Sequence, residues 1–149
     1  MMKITIRTMT MEDYKSVYDL WMSCTGMGLN NLDDSEEGIA KFLKRNPNTC
    51  FVAVSDSQVV GVIMAGNDGR RGYIYHTAVS PKWQKQGIGA KLVETVMQAL
   101  QEEGIHKVAL VVFERNHAGN VFWEKQGFTT REDIVYRNKS IAEMVRIDT

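Results

Sequence analysis

Apolar residues in this chain switch between two spacings, and the switches mark out its elements. Ile4-Thr5-Ile6-Arg7-Thr8 alternates apolar and polar and predicts an edge strand. Thr10 as N-cap and Asp13 as a first-turn acid open a helix whose stripe is Tyr14, Val17, Tyr18 and Trp21. Residues 25–34 form a loop by composition. A second helix follows, with Asp34 as N-cap, Glu37 at the capping-box position and Ile39, Phe42 and Leu43 as its buried face, and Pro47 prevents its continuation. Cys50 to Val54 and Val59 to Ala65 predict a hairpin about the turn Ser55-Asp56-Ser57-Gln58. A second turn, Asn67 to Gly72 with Asp68-Gly69 inside it, returns Tyr73 to Val79 antiparallel.

Ser80-Pro81 then breaks the strand, and from Gly87 the spacing becomes helical, with Ile88, Leu92, Val96 and Leu100 on one face and Gly104 as the stop. Lys107 to Phe113 is a continuous apolar run of the kind found in a buried parallel strand. Ala118 to Gln126 predicts a fourth helix, and Ile134-Val135-Tyr136 and Ile141 to Ile147 predict two closing strands. The order βααβββαβαββ is that of an α/β layered (α+β) domain with a mixed sheet, and the 149 residues suit one domain spanning 1–149.

Composition narrows the function classes. Lys plus Arg and Asp plus Glu number 18 each, so no basic field points to nucleic acid or a membrane surface. Cys24 and Cys50 have neither paired nor metal-ligand spacing, and no apolar run approaches membrane-spanning length. The N-terminal residues lack a signal-peptide core, so a cytoplasmic protein without a metal is the expectation.

The chemistry concentrates where the strand 73–79 feeds a glycine turn. A helix start leaves backbone N–H groups unpartnered and carries partial positive charge, which suits an anion. Gly87 and Gly89 keep Cβ atoms away from that approach, while Gln84, Lys85, Gln86 and Lys91 add side-chain donors. The loop is not a Walker loop, because Gly89-Ala90-Lys91 lacks Gly-Lys-Ser/Thr, and Leu92 replaces the third glycine of a dinucleotide fingerprint. The pattern met is Gln/Arg-x-x-Gly-x-Gly/Ala in Gln84-Lys85-Gln86-Gly87-Ile88-Gly89, preceded by Ala78-Val79-Ser80-Pro81 and Trp83. A later stretch, Asn116 through Trp123 to Gly127-Phe128, has an Asn after a strand, a short helix with an aromatic seven residues on, then Gly-Phe.

On these two motifs the sequence resembles the GCN5-related N-acetyltransferase (GNAT) superfamily. The resemblance implies a mixed, mostly antiparallel sheet with splayed central strands, flanked by about four helices. It implies acetyl-coenzyme A as cofactor and transfer of its acetyl group to a primary amine of a small molecule or peptide; a homodimer is a further expectation, since many relatives pair. Carried over by position, Ala78 and Val79 would bond pantetheine through the backbone, and Gln86, Gly87, Ile88, Gly89 and Ala90 would hold the pyrophosphate, with Gln84 and Lys85 beside it. Asn116 would bond the pantetheine arm, and the Val79 amide would stabilise the oxyanion. Two positions depart from the family. Trp123 stands where many members carry the Tyr that protonates the thiolate, and an indole N–H cannot act as that acid, although Trp123 can wall the acyl site. Val111 stands where some members carry a Glu base. Substitute groups are Tyr75 and Tyr136, with His76, Tyr73 and Glu114 also in view; strand alternation puts Tyr73 and Tyr75 on the Val79 face and His76 on the other. Met27 and Leu29 would cover the acceptor pocket, and Asp33 and Asp34 would give it an acidic rim for a cationic amine. The two departures also leave open a non-catalytic acyl-CoA sensor of the same fold.

Overall fold

The computed structural model describes residues 3–148. Its elements run β1 (Thr5–Thr8), α1 (Tyr14–Ser23), α2 (Glu36–Arg45), β2 (Cys50–Ser55), β3 (Gln58–Asn67), β4 (Gly72–Val79), α3 (Ile88–Glu102), β5 (Val108–Ala109) and α4 (His117–Lys125). The strands form one sheet in chain order, antiparallel throughout except for the parallel pair β4–β5. Asp56 and Ser57 join β2 to β3 with φ of 48° and 65°, the left-handed pair that a two-residue hairpin turn requires.

Each sheet face buries its own cluster. Val17, Leu20 and Trp21 of α1 and Ile39 and Leu43 of α2 pack on Val52, Val62, Met64 and Ala78. On the other face Ile88, Leu92, Val96 and Leu100, the four-residue stripe of α3, pack on Ala53, Ile63, Ala65 and Ile74, and Phe122 and Trp123 of α4 close that layer. Burial of such side chains is worth about 1.5–3 kcal/mol each before the entropic cost of ordering them, so the two clusters fix the sheet between its helices.

Three expectations need correction. The N-cap of α2 is Ser35, whose Oγ accepts from the Gly38 N–H at 3.0 Å; Asp34 is buried one residue earlier because its carboxylate is drawn to His76 and to the Asn30 N–H. β5 covers only Val108–Ala109, paired with Gly72 and Tyr73, and Leu110–Phe113 leave the ladder with Val111 exposed. The two closing strands are absent among the described residues: Ile134, Val135, Tyr136 and Ile141 are exposed, since strand propensity without a partner edge forms no ladder. The tail instead crosses to the loop after α1. The Met27 and Leu29 N–H groups donate to the Asp148 carboxylate at 2.9 and 2.6 Å. The Asn31 N–H donates to the Val145 carbonyl, and the Ile147 N–H donates to the Leu29 carbonyl.

Candidate functional site

The early end of β5 opens the sheet. β4 and β5 pair only at Gly72–Val108 and Tyr73–Ala109, and beyond that point a gap separates residues 74–79 from 110–113. A cavity of about 690 Å³ occupies its wider part, lined by Tyr73–Thr77, by Leu110–Phe113, by the loop after α1 and by α2. The register Gly61–Val79, with the Ser80 N–H bonded to the Val60 carbonyl at 2.8 Å, turns the preceding Val79 amide to the opposite edge of β4, toward the gap.

The glycine turn sits at the far end of the same strand. Gly87 takes φ 84° as the N-cap of α3, with open space where a Cβ would stand, and Lys85 also lies in the left-handed region at φ 63°. The Lys91 N–H makes the helix's first bond, to the Gly87 carbonyl, which among the described residues leaves the Ile88, Gly89 and Ala90 amides free at the helix start. These unpartnered donors beside Lys85 and Lys91 fit a diphosphate. Two details differ from the sequence reading. Gln84 donates its side-chain amide to the Val79 carbonyl at 3.1 Å and so ties the turn to the strand. The missing Cβ of Gly89 is not open space: a Cβ there would stand 3.0 and 3.1 Å from Cε1 and Cζ of Phe122.

Several predicted residues meet in the cavity: Met27, Asp33, Tyr75, Asn116, Trp123 and Tyr136 all line it. Asn116 caps α4, its Oδ1 accepting from the Gly119 N–H at 2.9 Å, so its amide nitrogen remains to donate. Trp123 is held edge-on between Phe122 and Phe128, at 5.0 and 5.3 Å between ring centres. Leu29 does not line the cavity; it is fully buried in the α1–α2 cluster and anchors the loop rather than presenting it. The rim is not uniformly acidic, because Lys41 and Arg45 of α2 line it with Asp33. Glu114 is exposed outside it.

A bulge in β4 changes which faces its side chains take. Met64 pairs with Tyr75 and Val62 with Ala78, so three steps of β4 oppose two of β3. Val79 therefore packs with the α3 layer, while Tyr73, Tyr75 and His76 all face α1 and α2; the alternation that put Tyr73 and Tyr75 with Val79 does not hold. Tyr75 packs on Phe42 at 5.5 Å and on Tyr73 at 4.7 Å. Burial, and then the nearby Tyr136 and Tyr75 phenols, push the Tyr73 hydroxyl up to about 12, and burial raises that of Tyr75, so both keep their protons at neutral pH.

The sequence reading missed two features. Cys24 Sγ lies 3.7 Å from the Val79 carbonyl, and burial raises its thiol above the usual cysteine range. His76 Nε2 lies 2.6 Å from Oδ1 of Asp34, a pair 42 residues apart that local sequence cannot display.

Comparisons with known proteins agree with this geometry. Residues 14–128 match the family model described as the acetyltransferase (GNAT) family. An acetyltransferase of Photorhabdus laumondii is 32% identical over 140 residues, covering 93% of this chain and 96% of the relative. PaiA N-acetyltransferase from Thermoplasma acidophilum, in complex with coenzyme A, superposes with TM-score 0.77 at 20% identity over 87% of this chain and 92% of that one. AAC(6')-Iy bound to the bisubstrate analogue CoA-S-monomethyl-acetylneamine superposes with TM-score 0.71 at 16% identity over 93% and 99% of the two chains.

Proposed function

The chain belongs to the acetyltransferase (GNAT) family and catalyses acetyl-CoA-dependent acetyl transfer, and from that premise we propose direct transfer to a primary amine of a small molecule or peptide held in the β4–β5 cavity. The observation that carries this reading is the continuity of one strand: β4 runs past the acceptor cavity, presents the Val79 amide to the gap, and ends at the free amides of α3. The Ile88, Gly89 and Ala90 N–H groups would hold the pyrophosphate with Gln86 and Gly87, and Lys85 would add charge beside them. The backbone of Ala78 and Val79 would bond the pantetheine arm, and the Asn116 side-chain amide would donate to it. Acetyl-CoA supplies an activated acyl group with thiolate as the leaving group. The Val79 N–H is aimed at the oxygen that gains charge when the amine adds, where one such donor is worth about 2.7–4 kcal/mol. Tyr75 and Tyr136, both lining the cavity, are the proton donors for the departing thiolate. Trp123 walls the acyl side, while Asp33 at the rim draws in a cationic amine and Met27 covers it.

No helix among the described residues is long and apolar enough to cross a membrane. Free thiols at Cys24 and Cys50 support a reducing compartment, the cytoplasm.

Calorimetric titration with acetyl-CoA and with coenzyme A lacking its 3′-phosphate, followed by thiol release on polyamines, amino acids and short peptides, tests the reading. Tight binding with turnover on an amine is the expected result. Binding with no turnover across the panel would favour the acyl-CoA sensor instead.

A further inference from the structure

We propose that His76 is the general base of this site and Asp34 its positioning residue, an assignment that rests on the acetyl-transfer reading above. The two come together because the β4 bulge puts His76 on the cavity face. Asp34 is 3% exposed, and every oxygen it offers is engaged: Oδ1 faces His76 Nε2 at 2.6 Å, Oδ2 accepts from the Asn30 N–H at 2.8 Å, and its carbonyl accepts from the Tyr14 hydroxyl at 2.8 Å. Trp21 fixes the other partner. Its indole N–H donates to the His76 carbonyl at 3.4 Å, and its ring meets the imidazole edge-on at 5.1 Å.

A buried carboxylate can only accept, so the 2.6 Å contact places the imidazole proton on Nε2 and leaves a lone pair on Nδ1. Among the described residues Nδ1 has no hydrogen-bond partner, and Ser55 Oγ is the sole buried side-chain polar atom without one, so Nδ1 is not sealed in the core, and His76 lines the cavity. The arrangement is that of a base oriented by a carboxylate, which also offsets the charge of the imidazolium once it forms.

The step balances without a further reactant. The amine nitrogen forms the C–N bond to the acetyl carbon and sheds a proton to Nδ1. The C–S bond breaks, its electron pair leaving with coenzyme A as thiolate, which takes a proton from Tyr75 or Tyr136, and the imidazolium passes its proton through water to the phenolate that remains. The other titratable or charged side chains facing the cavity are Asp33, Lys41, Arg45, Tyr73, Tyr75 and Tyr136. A general base accepts the amine proton only when it is itself unprotonated, so the loss of kcat/KM toward acid pH, the acid limb, should depend on the presence of His76.

The test has two arms. In the first, nitrogen-15 histidine NMR on the unmodified protein, without cofactor, reads the His76 tautomer; a protonated Nε2 and a bare Nδ1 are expected, with that preference lost in Asp34→Asn. Protonation on Nδ1 in the unmodified protein would overturn the proposal. In the second, His76→Gln and Asp34→Asn are assayed by thiol release with spermidine, glycinamide and trialanine as probes, beside calorimetric titration with coenzyme A. A fall in kcat/KM of about 10²–10⁴-fold for His76→Gln, a flattened acid limb and unchanged coenzyme A affinity are expected. A smaller fall is expected for Asp34→Asn. Retained turnover with the acid limb intact, or a loss that follows coenzyme A affinity, would sink the assignment. Unmodified protein that binds coenzyme A and turns over none of the probes counts against the transfer reading instead, and the tautomer then decides the dyad alone.

Discussion

Gly89→Ala separates the roles of the two glycines, Gly87 and Gly89, at the start of α3. The new methyl would stand 3.0 and 3.1 Å from Cε1 and Cζ of Phe122, tighter than ordinary contact, so the ring must give by a few tenths of an ångström. Phe122 has little room to give, being packed on Trp123 at 5.0 Å between ring centres. Overpacking of this kind costs about 1–3 kcal/mol. Against it, replacing glycine inside a helix returns about 0.5–1 kcal/mol. The net expectation is a loss of about 0–2.5 kcal/mol in urea unfolding. Phe122→Leu removes the obstructing ring edge, so in that background the same change should stabilise by about 0.5–1 kcal/mol, giving a coupling of about 1–3 kcal/mol in a double-mutant cycle. Because the methyl points at Phe122, coenzyme A affinity should stay within about threefold, under 0.7 kcal/mol. Gly87→Ala, by contrast, forces a side chain into φ 84° at a cost of about 1–2 kcal/mol and should deform the turn itself. Zero coupling between positions 89 and 122 would refute the packing argument; a loss of coenzyme A affinity at unchanged stability would show that Gly89 meets the ligand directly.

Asp148→Ala removes the acceptor of the Met27 and Leu29 amides, and exchange of those two amides in the free protein should quicken by about tenfold or more, corresponding to a hydrogen bond to a charged group; unchanged exchange would show that the tail does not hold the loop. Thiol labelling should modify half-buried Cys24 slowly, and more slowly still with coenzyme A bound, while Cys50, pushed up to about 12 by burial, should label only on unfolding. Asp13 is held below the usual carboxylate range by its two-oxygen bond to Arg7 at 2.8 and 2.9 Å. Its folded value lies below the unfolded one, so its contribution is present above about pH 4 and is lost as pH falls through the folded value. Asp13→Asn should therefore reduce the melting temperature at pH 7 and flatten its fall under acid; equal losses at pH 7 and pH 2.5 would contradict this.

The parts of the fold that were legible are those where one local period decides. Ile88, Leu92, Val96 and Leu100 are all buried as their spacing requires, and the 50–65 hairpin follows from its own turn. The glycine turn was legible because Gly87 must take a left-handed conformation at a helix start. What escaped the sequence depends on partners far along the chain. Asp34 and Ser35 are both good caps, and what draws Asp34 away is an imidazole 42 residues later. The His76–Thr77 bulge has no glycine to announce it, so a strict period of two assigned Tyr75 and His76 to opposite faces. Leu110 to Phe113 read as a buried strand because their apolar character suits either a ladder or the wall of a gap.

The fastening of the loop at residues 27–31 by residues 145–148 also has a consequence for synthesis. Gly72 to Phe128, which carry β4, α3 and α4, need only neighbours already made to take shape around the glycine turn. Met27 and Leu29 of that loop wait for Asp148, 121 and 119 positions downstream. Non-local contacts of that span close late, after most of the ordering cost has been met. On an emerging chain, then, the half of the cavity beside the glycine turn matures first, and the loop across from it is fastened only once residues 145–148 have been made.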